Sequence, residues 1–412
     1  YMDRAIPLLP VSGKDITIYY PIEGMFSGHS AVPPSLELVT SLHSSVTSTG
    51  MPNFMGARHA LPYSSFNVQA WAQIAKGHPD EVLIQFVAFG FPLGQEGCKL
   101  RGLSQSNNHA SSAPYDAQIA DYITAELSHH SIIGPFKDPP FKDFLVNPIL
   151  TAPKKDPGKI RVCLDLSHPK GSSVNCFTPS DTFMGELSQC VLPSFKDIVA
   201  FITDLGKNAW LYSIDISRAY RSMKVCPRDV NLLGICHRGQ YYVDLSIPFG
   251  VRNGANYCQG LSRVVTAAHI AASHKSMCYI DDNLGGATED QGYTKAFAGF
   301  TSLQTLLKHV GWPSAPEKDV PPSQEIVYCG LLYDTRSWTV SLPQARREKV
   351  TATIDKWEHR TEARLLDLQK LCGTLLSACQ VIKYTVTAKL NAACPQEGSS
   401  PRVSQTEQLL SY

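Results

Sequence analysis

Met277-Cys278-Tyr279-Ile280-Asp281-Asp282-Asn283-Leu284-Gly285-Gly286 is the stretch on which the reading of this chain turns. Residues 277–280 are a short apolar run with strand character, and two carboxylates follow it directly. Adjacent aspartates repel each other. A fold keeps them together only with compensation, of which a divalent cation is the commonest form. Gly285-Gly286 reads as a tight turn, so the whole resembles a hairpin presenting carboxylates at its tip. An isolated Asp-Asp pair is more often a solvated turn; the apolar strand and the glycines set this one apart.

Tyr212-Ser213-Ile214-Asp215-Ile216-Ser217-Arg218-Ala219-Tyr220 repeats the pattern, an apolar strand ending in an aspartate 66 residues before Asp281. Side by side, the two strands would bring Asp215 and Asp281 close enough to share hard cations with a triphosphate. The plainer alternative is two unrelated strand ends, each capping a turn. Lys154-Lys155-Asp156-Pro157-Gly158-Lys159-Ile160-Arg161 reads as a hairpin with four cations, able to hold phosphates or simply to face solvent. Pro248-Phe249-Gly250 could let a flat base approach the backbone, or could be a structural turn before the helix that carries Gln259.

The rest of the chain sets the frame. Its 412 residues are 43% hydrophobic and 18% charged, which excludes intrinsic disorder of the whole. The net charge of +1 gives no support from bulk charge to a nucleic-acid partner and does not exclude one. Twelve cysteines form no CxxC pair, and several (Cys163, Cys278, Cys329) lie in apolar runs, as in buried reduced thiols of an intracellular protein, cytoplasmic or nuclear. The longest apolar run, residues 82–91, is too short to span a bilayer, so no membrane is expected. The chain starts at Tyr1 with no signal-peptide pattern and reads as part of a longer protein.

Residues 1–60 read as extended or partly disordered, 66–84 and 115–129 as helices, and 134–140 as a breaker and linker. Strands are expected at 147–155, 159–166, 209–215, 240–245, 277–280 and 338–342, with helices at 254–272, 344–357 and 364–382. Strands alternating with helices give an α/β or α+β core.

Basic hairpin, then Asp215-Ile216-Ser217-Arg218-Ala219-Tyr220, then Pro248-Phe249-Gly250, then Tyr279-Ile280-Asp281-Asp282, then Tyr328-Cys329-Gly330-Leu331: in this order the motifs resemble the fingers and palm of reverse transcriptases. Arg161, Asp165-Leu166-Ser167, Pro169, Gly171 and Ser173-Val174-Asn175 are similar to the matching stretch of DIRS-type retrotransposon polymerases, relatives of the LTR retrotransposons. Asn108-His109-Ala110-Ser111-Ser112-Ala113, Gly134-Pro135-Phe136 and Gln369-Lys370-Leu371-Cys372-Gly373 also look like that group.

The resemblance implies an α+β right-hand polymerase. Residues 1–135 would be an N-terminal extension with leader helices, 136–335 fingers and palm, and 336–412 a thumb or connection segment before a missing or truncated ribonuclease H domain. The implied activity is RNA-directed DNA polymerisation, a two-metal nucleotidyl transfer onto a primer 3′-hydroxyl. It would use Mg²⁺ or Mn²⁺ with an RNA template, a DNA primer and deoxynucleoside triphosphates. Asp215, Asp281 and Asp282 would be catalytic and, with the Ile216 carbonyl, would hold the metal. Lys154 and Arg161 would grip the triphosphate. Tyr220 would exclude the ribose 2′-hydroxyl, Phe249 and Gly250 would flank the nucleotide, and Gln259 would help place the template. Tyr328, Cys329, Gly330 and Leu331 would form the primer grip, and Lys318 is a weaker candidate for the acid that protonates pyrophosphate. Arg252-Asn253-Gly254-Ala255-Asn256 and the polar Asn283 depart from the family's pattern without removing a ligand. The reading from a different class is a decayed or co-opted palm that binds nucleic acid as a scaffold without synthesis.

Overall fold

The structure is a computed structural model that describes residues 32–48, 60–80, 82–95, 100–154, 158–180, 182–183, 186–187, 189–358, 360–379 and 381. The chain divides into two compact units, residues 1–329 and 330–412. Strands and helices mix in the α+β manner expected.

At the centre of the first unit lies a four-stranded antiparallel sheet. It is built from β1 (Trp210–Asp215), β2 (Lys275–Tyr279), β3 (Asp282–Ala287) and β4 (Val320–Ser323) in the order β2-β3-β1-β4. Three helices flank it in the chain: α1 (Phe195–Leu205), α2 (Gly254–Ala271) and α3 (Gly292–His309). Helix α2 packs on β2, while α3 packs on β1 and β3. Leu211, Tyr212 and Ile214 of β1 are all buried. A side chain on β3 opposite Tyr212 would collide with its ring: a Cβ added at Gly285 would lie 2.3 Å from Tyr212 Cζ. The glycine pair expected to close a turn is therefore strand, and its smallness serves Tyr212.

A second, five-stranded sheet runs in the order 103–105, 144–146, 234–237, 240–244, 132–136. Its last strand, Ile132–Phe136, takes up the first half of the expected linker. The basic hairpin forms as read, with Ile149–Pro153 paired to Ile160–Leu164. Residues 155–157 at its tip, Lys155 among them, lie outside the described residues.

Other expectations shift. The helix read at 66–84 is two helices, Val68–Ala75 and Leu83–Phe89, because Gly77 at φ +74° and the nearby Pro79 interrupt it. Residues 36–48, read as extended, are helical, and their Val39 and Val46 are buried; residues 1–31 and 49–59 lie outside the described set. Phe66, Trp71 and Phe91 of this early region join Trp312 and Tyr257 in an aromatic cluster with centroids 5.3–6.4 Å apart. The leader thus shares one core with the central sheet.

The second unit contains a hairpin, Leu331–Asp334 with Thr339–Ser341, and the helices Gln344–Glu358 and Leu365–Cys379. All ten described cysteines are free thiols; Cys278 is buried as expected, whereas Cys329 is exposed on a turn. Among the described residues, no helix is long and apolar enough to cross a membrane.

Candidate active site

Pairing of β1 with β3 sets Asp215 directly opposite Asp282. Opposed residues of an antiparallel pair project from the same face, so these like charges face each other across the ladder. The Ile216 amide donates to the Asp281 carbonyl at 3.1 Å, which ties the end of β1 to the β2–β3 turn. The three aspartates of the two motifs therefore meet at one end of the sheet.

The turn is strained and clamped. Ile280, a β-branched residue, sits at φ +54°, a left-handed conformation that such residues rarely adopt. Its N–H donates to Gln259 Oε1 at 2.6 Å, and its carbonyl accepts from the Ser262 hydroxyl. Gln259 and Ser262 lie three residues apart on one face of α2. Gln259, expected to help place the template, is only 1% exposed, and its side chain holds the aspartate turn.

Electrostatics follow the crowding. Burial, then the neighbouring Asp281 and Asp215, pushes Asp282 up to about 6. Burial raises Asp281 as well, with Asp215 adding to it. Lys318 Nζ lies 2.7 Å from Asp215 Oδ1, and this hydrogen bond holds the ammonium above its ordinary value. The segment carrying Lys318 is pinned to β1: Ala315 N–H donates to the Asp215 carbonyl at 2.8 Å, and Asp215 N–H donates to Asp319 Oδ1 at 3.3 Å.

Asp281 and Asp282, raised first by burial, and Asp215, which holds the Lys318 ammonium, are the side chains here that could take part in holding a cation. Among the described residues, no group of three or more His, Cys, Asp or Glu side chains is placed to hold a metal ion by itself.

Beside the carboxylates lies an aromatic ledge. Tyr220 and Phe249 have centroids 5.1 Å apart, and the Arg161 guanidinium sits 5.8 Å over the Phe249 ring. Tyr220 is half-buried, and its ring packs where a Cβ at Gly254 would approach Cε1 to 3.0 Å. Burial, with Cys258 and Asp281 nearby, pushes the Tyr220 hydroxyl up. Phe249 is 47% exposed and Gly250 takes φ +101°. Lys154 is exposed, and its backbone N–H donates to the Lys159 carbonyl.

The expected primer grip is only partly outward. Tyr328 is buried, and its hydroxyl donates to the Asp282 carbonyl at 3.0 Å, which ties its side chain to the aspartate strand. Leu331 is buried too; Cys329 (φ +46°) and Gly330 (φ +75°) are the exposed pair. Asn283 is fully buried, with Nδ2 3.5 Å from the Ile214 carbonyl.

Sequence reasoning missed the ion-pair network made by the two arginines that flank Ala219-Tyr220 in the chain. Arg218, at φ +51°, makes two 2.9 Å bonds to Glu126, and Arg221 bridges Glu126 and Asp244 at 2.8 Å each. Two arginines flanking the Ala-Tyr of the first motif were the available signal.

Set against known proteins, this is the fold of retroviral reverse transcriptases. A foamy viral protease–reverse transcriptase in complex with dsDNA aligns with a TM-score of 0.52 at 16% identity, over 92% of this chain and 70% of that one. The same type of protein with an RNA/DNA hybrid aligns at 0.51 and 16%, over 90% and 45%. The dRH form with ds DNA aligns at 0.51 and 17%, over 76% and 49%, so the chain spans about half that protein's length. No family model and no curated protein matches the chain in sequence.

Proposed function

We propose that the chain is an RNA-directed DNA polymerase of a DIRS-type retrotransposon, acting inside the cell. The observation that carries this is the β1–β3 register, which sets Asp215 opposite Asp282 with Asp281 at the adjoining turn. The foamy viral neighbours are complexes with dsDNA and RNA/DNA hybrid, which supports duplex nucleic acid as the partner.

Asp215, Asp281, Asp282 and the Ile216 carbonyl would hold Mg²⁺ or Mn²⁺. When bound, the ions make a primer hydroxyl more acidic and offset the charge of a triphosphate. The chain's own part is positioning and electrostatics. Arg161 and Lys154 hold phosphate oxygens of the incoming deoxynucleotide. Tyr220 occupies the room that a 2′-hydroxyl would need, and Phe249 and Gly250 line the base side. Lys318, 59% exposed, is free to turn from Asp215 toward departing pyrophosphate and give it a proton.

The test is primer extension with a DNA primer on an RNA template, four deoxynucleotides and Mg²⁺ or Mn²⁺. Extension is expected from the wild type and not from Asp281→Asn. Equal extension by both would place the active site elsewhere. If neither extends while both bind primer–template, the scaffold reading replaces this one.

A further inference from the structure

The Ser173-Val174-Asn175 motif has no part in the chemistry described so far, yet it meets the nucleotide ledge. Asn175 is 8% exposed and its backbone is fixed, since its N–H donates to the Leu166 carbonyl at 2.8 Å. Its side-chain amide then works in two directions. Nδ2 donates to the Gly250 carbonyl at 2.8 Å and to Ser167 Oγ at 3.0 Å, while Oδ1 accepts the Arg252 N–H at 3.3 Å. A primary amide supplies donor and acceptor together, which neither a carboxylate nor a methyl group can do.

These bonds bracket the turn that carries Phe249. A second strap runs alongside, from Arg252 Nη1 to the Thr178 carbonyl at 2.8 Å. On the near side, a Cβ at Gly250 would touch the Leu164 carbonyl at 3.6 Å, so the turn lies against the hairpin strand that also bears Arg161. Phe249 is half-exposed, and the backbone on its C-terminal side is fixed by these bonds. Phe249 stands behind Tyr220 and under Arg161.

We propose that Asn175 is a positioning residue that sets sugar selectivity: by fixing the 248–252 turn it keeps Phe249 against Tyr220, so that the tyrosine ring cannot yield to a ribose 2′-hydroxyl. The inference rests on the nucleotide-pocket reading given above. Loss of the amide frees the turn, Phe249 withdraws, and Tyr220 gains room to move.

Two measurements on the full chain test this with Asn175→Ala and with the isosteric Asn175→Asp, which keeps the shape and loses the donor to Gly250. The first is amide hydrogen exchange without substrate, comparing residues 249–253 with 282–287. The second is the ratio of deoxynucleotide to ribonucleotide incorporation, with KM and kcat resolved. Exchange at 249–253 should quicken about tenfold while 282–287 stays unchanged, as expected for losing bonds of this kind. The deoxy/ribo ratio should fall about tenfold, mostly through a lower ribonucleotide KM. Exchange that is unchanged, or raised equally everywhere, overturns the brace. Local loosening with an unchanged ratio overturns the selectivity. A wild type that incorporates neither sugar overturns the nucleotide reading itself, and exchange confined to 249–253 would show that failure separately from failure of the brace.

Discussion

The clamp on the aspartate turn can be broken and repaired. Gln259→Leu keeps the approximate volume of a fully buried side chain but removes the acceptor of the Ile280 N–H. A buried amide left without its partner costs about 1–3 kcal/mol. The left-handed backbone of Ile280 adds about 1–2 kcal/mol of strain, left to the Ser262 bond and the Ile216–Asp281 tie to oppose. A net shift of about 2 kcal/mol against the native turn corresponds to roughly a thirtyfold loss of the competent conformer. The extension rate should fall by that factor, and amide exchange across 278–283 should rise. Ile280→Gly supplies the repair, because glycine adopts φ near +54° without a Cβ penalty. The double variant should recover most of the rate. If Gln259→Leu extends at the wild-type rate, or if glycine at 280 restores nothing while the fold persists, the clamp has no role.

Three further outcomes follow from the same geometry. Tyr220→Ala should admit ribonucleotides, lowering deoxy/ribo discrimination about a hundredfold in single-nucleotide incorporation. Gly285→Ala, whose methyl meets the Tyr212 ring at 2.3 Å, should destabilise the chain by about 2 kcal/mol in urea unfolding, and Tyr212→Leu should relieve much of that. Lys224 is buried among Arg221, Asp244, Arg218 and Glu126; burial, then Arg221, holds its ammonium down at about 7. Above that pH the folded chain has released a proton that the unfolded chain keeps up to about 10, so stability should rise with pH by up to ~1.4 kcal/mol per unit between 7 and 9. Urea midpoints for Lys224→Met should lack that slope.

Much of the carboxylate site is readable because each half is local: an apolar run followed by an aspartate marks a strand end wherever it occurs. The pairing of the halves is not local, and only the β1–β3 register supplies it. Gln259 shows the opposite case. A glutamine on a helix reads as a polar contact for a ligand, and only tertiary structure reveals that a strained backbone at Ile280 needs it. Gly285-Gly286 misleads for the same reason, since what demands glycine there is an aromatic ring on another strand. Glu126 lies 92 residues from Arg218, too far for any pattern to join them. Local signals also went unread: the Ser194–Asp197 capping box starts helix α1, for which no helix was expected, and Gly77 and Pro79 break the stretch taken as one helix at 66–84.

Asp215 and Asp281 should act as one unit across the sheet. The most direct measurement is the rate of single-deoxynucleotide addition to a DNA primer on an RNA template by Asp215→Asn, Asp281→Asn and the double variant, with primer–template binding recorded alongside. Each single change should lower the rate about a thousandfold with binding retained, and the double variant should lose little more. Losses that multiply, or a single variant that keeps its rate, would mean that the two carboxylates do not share one reaction centre.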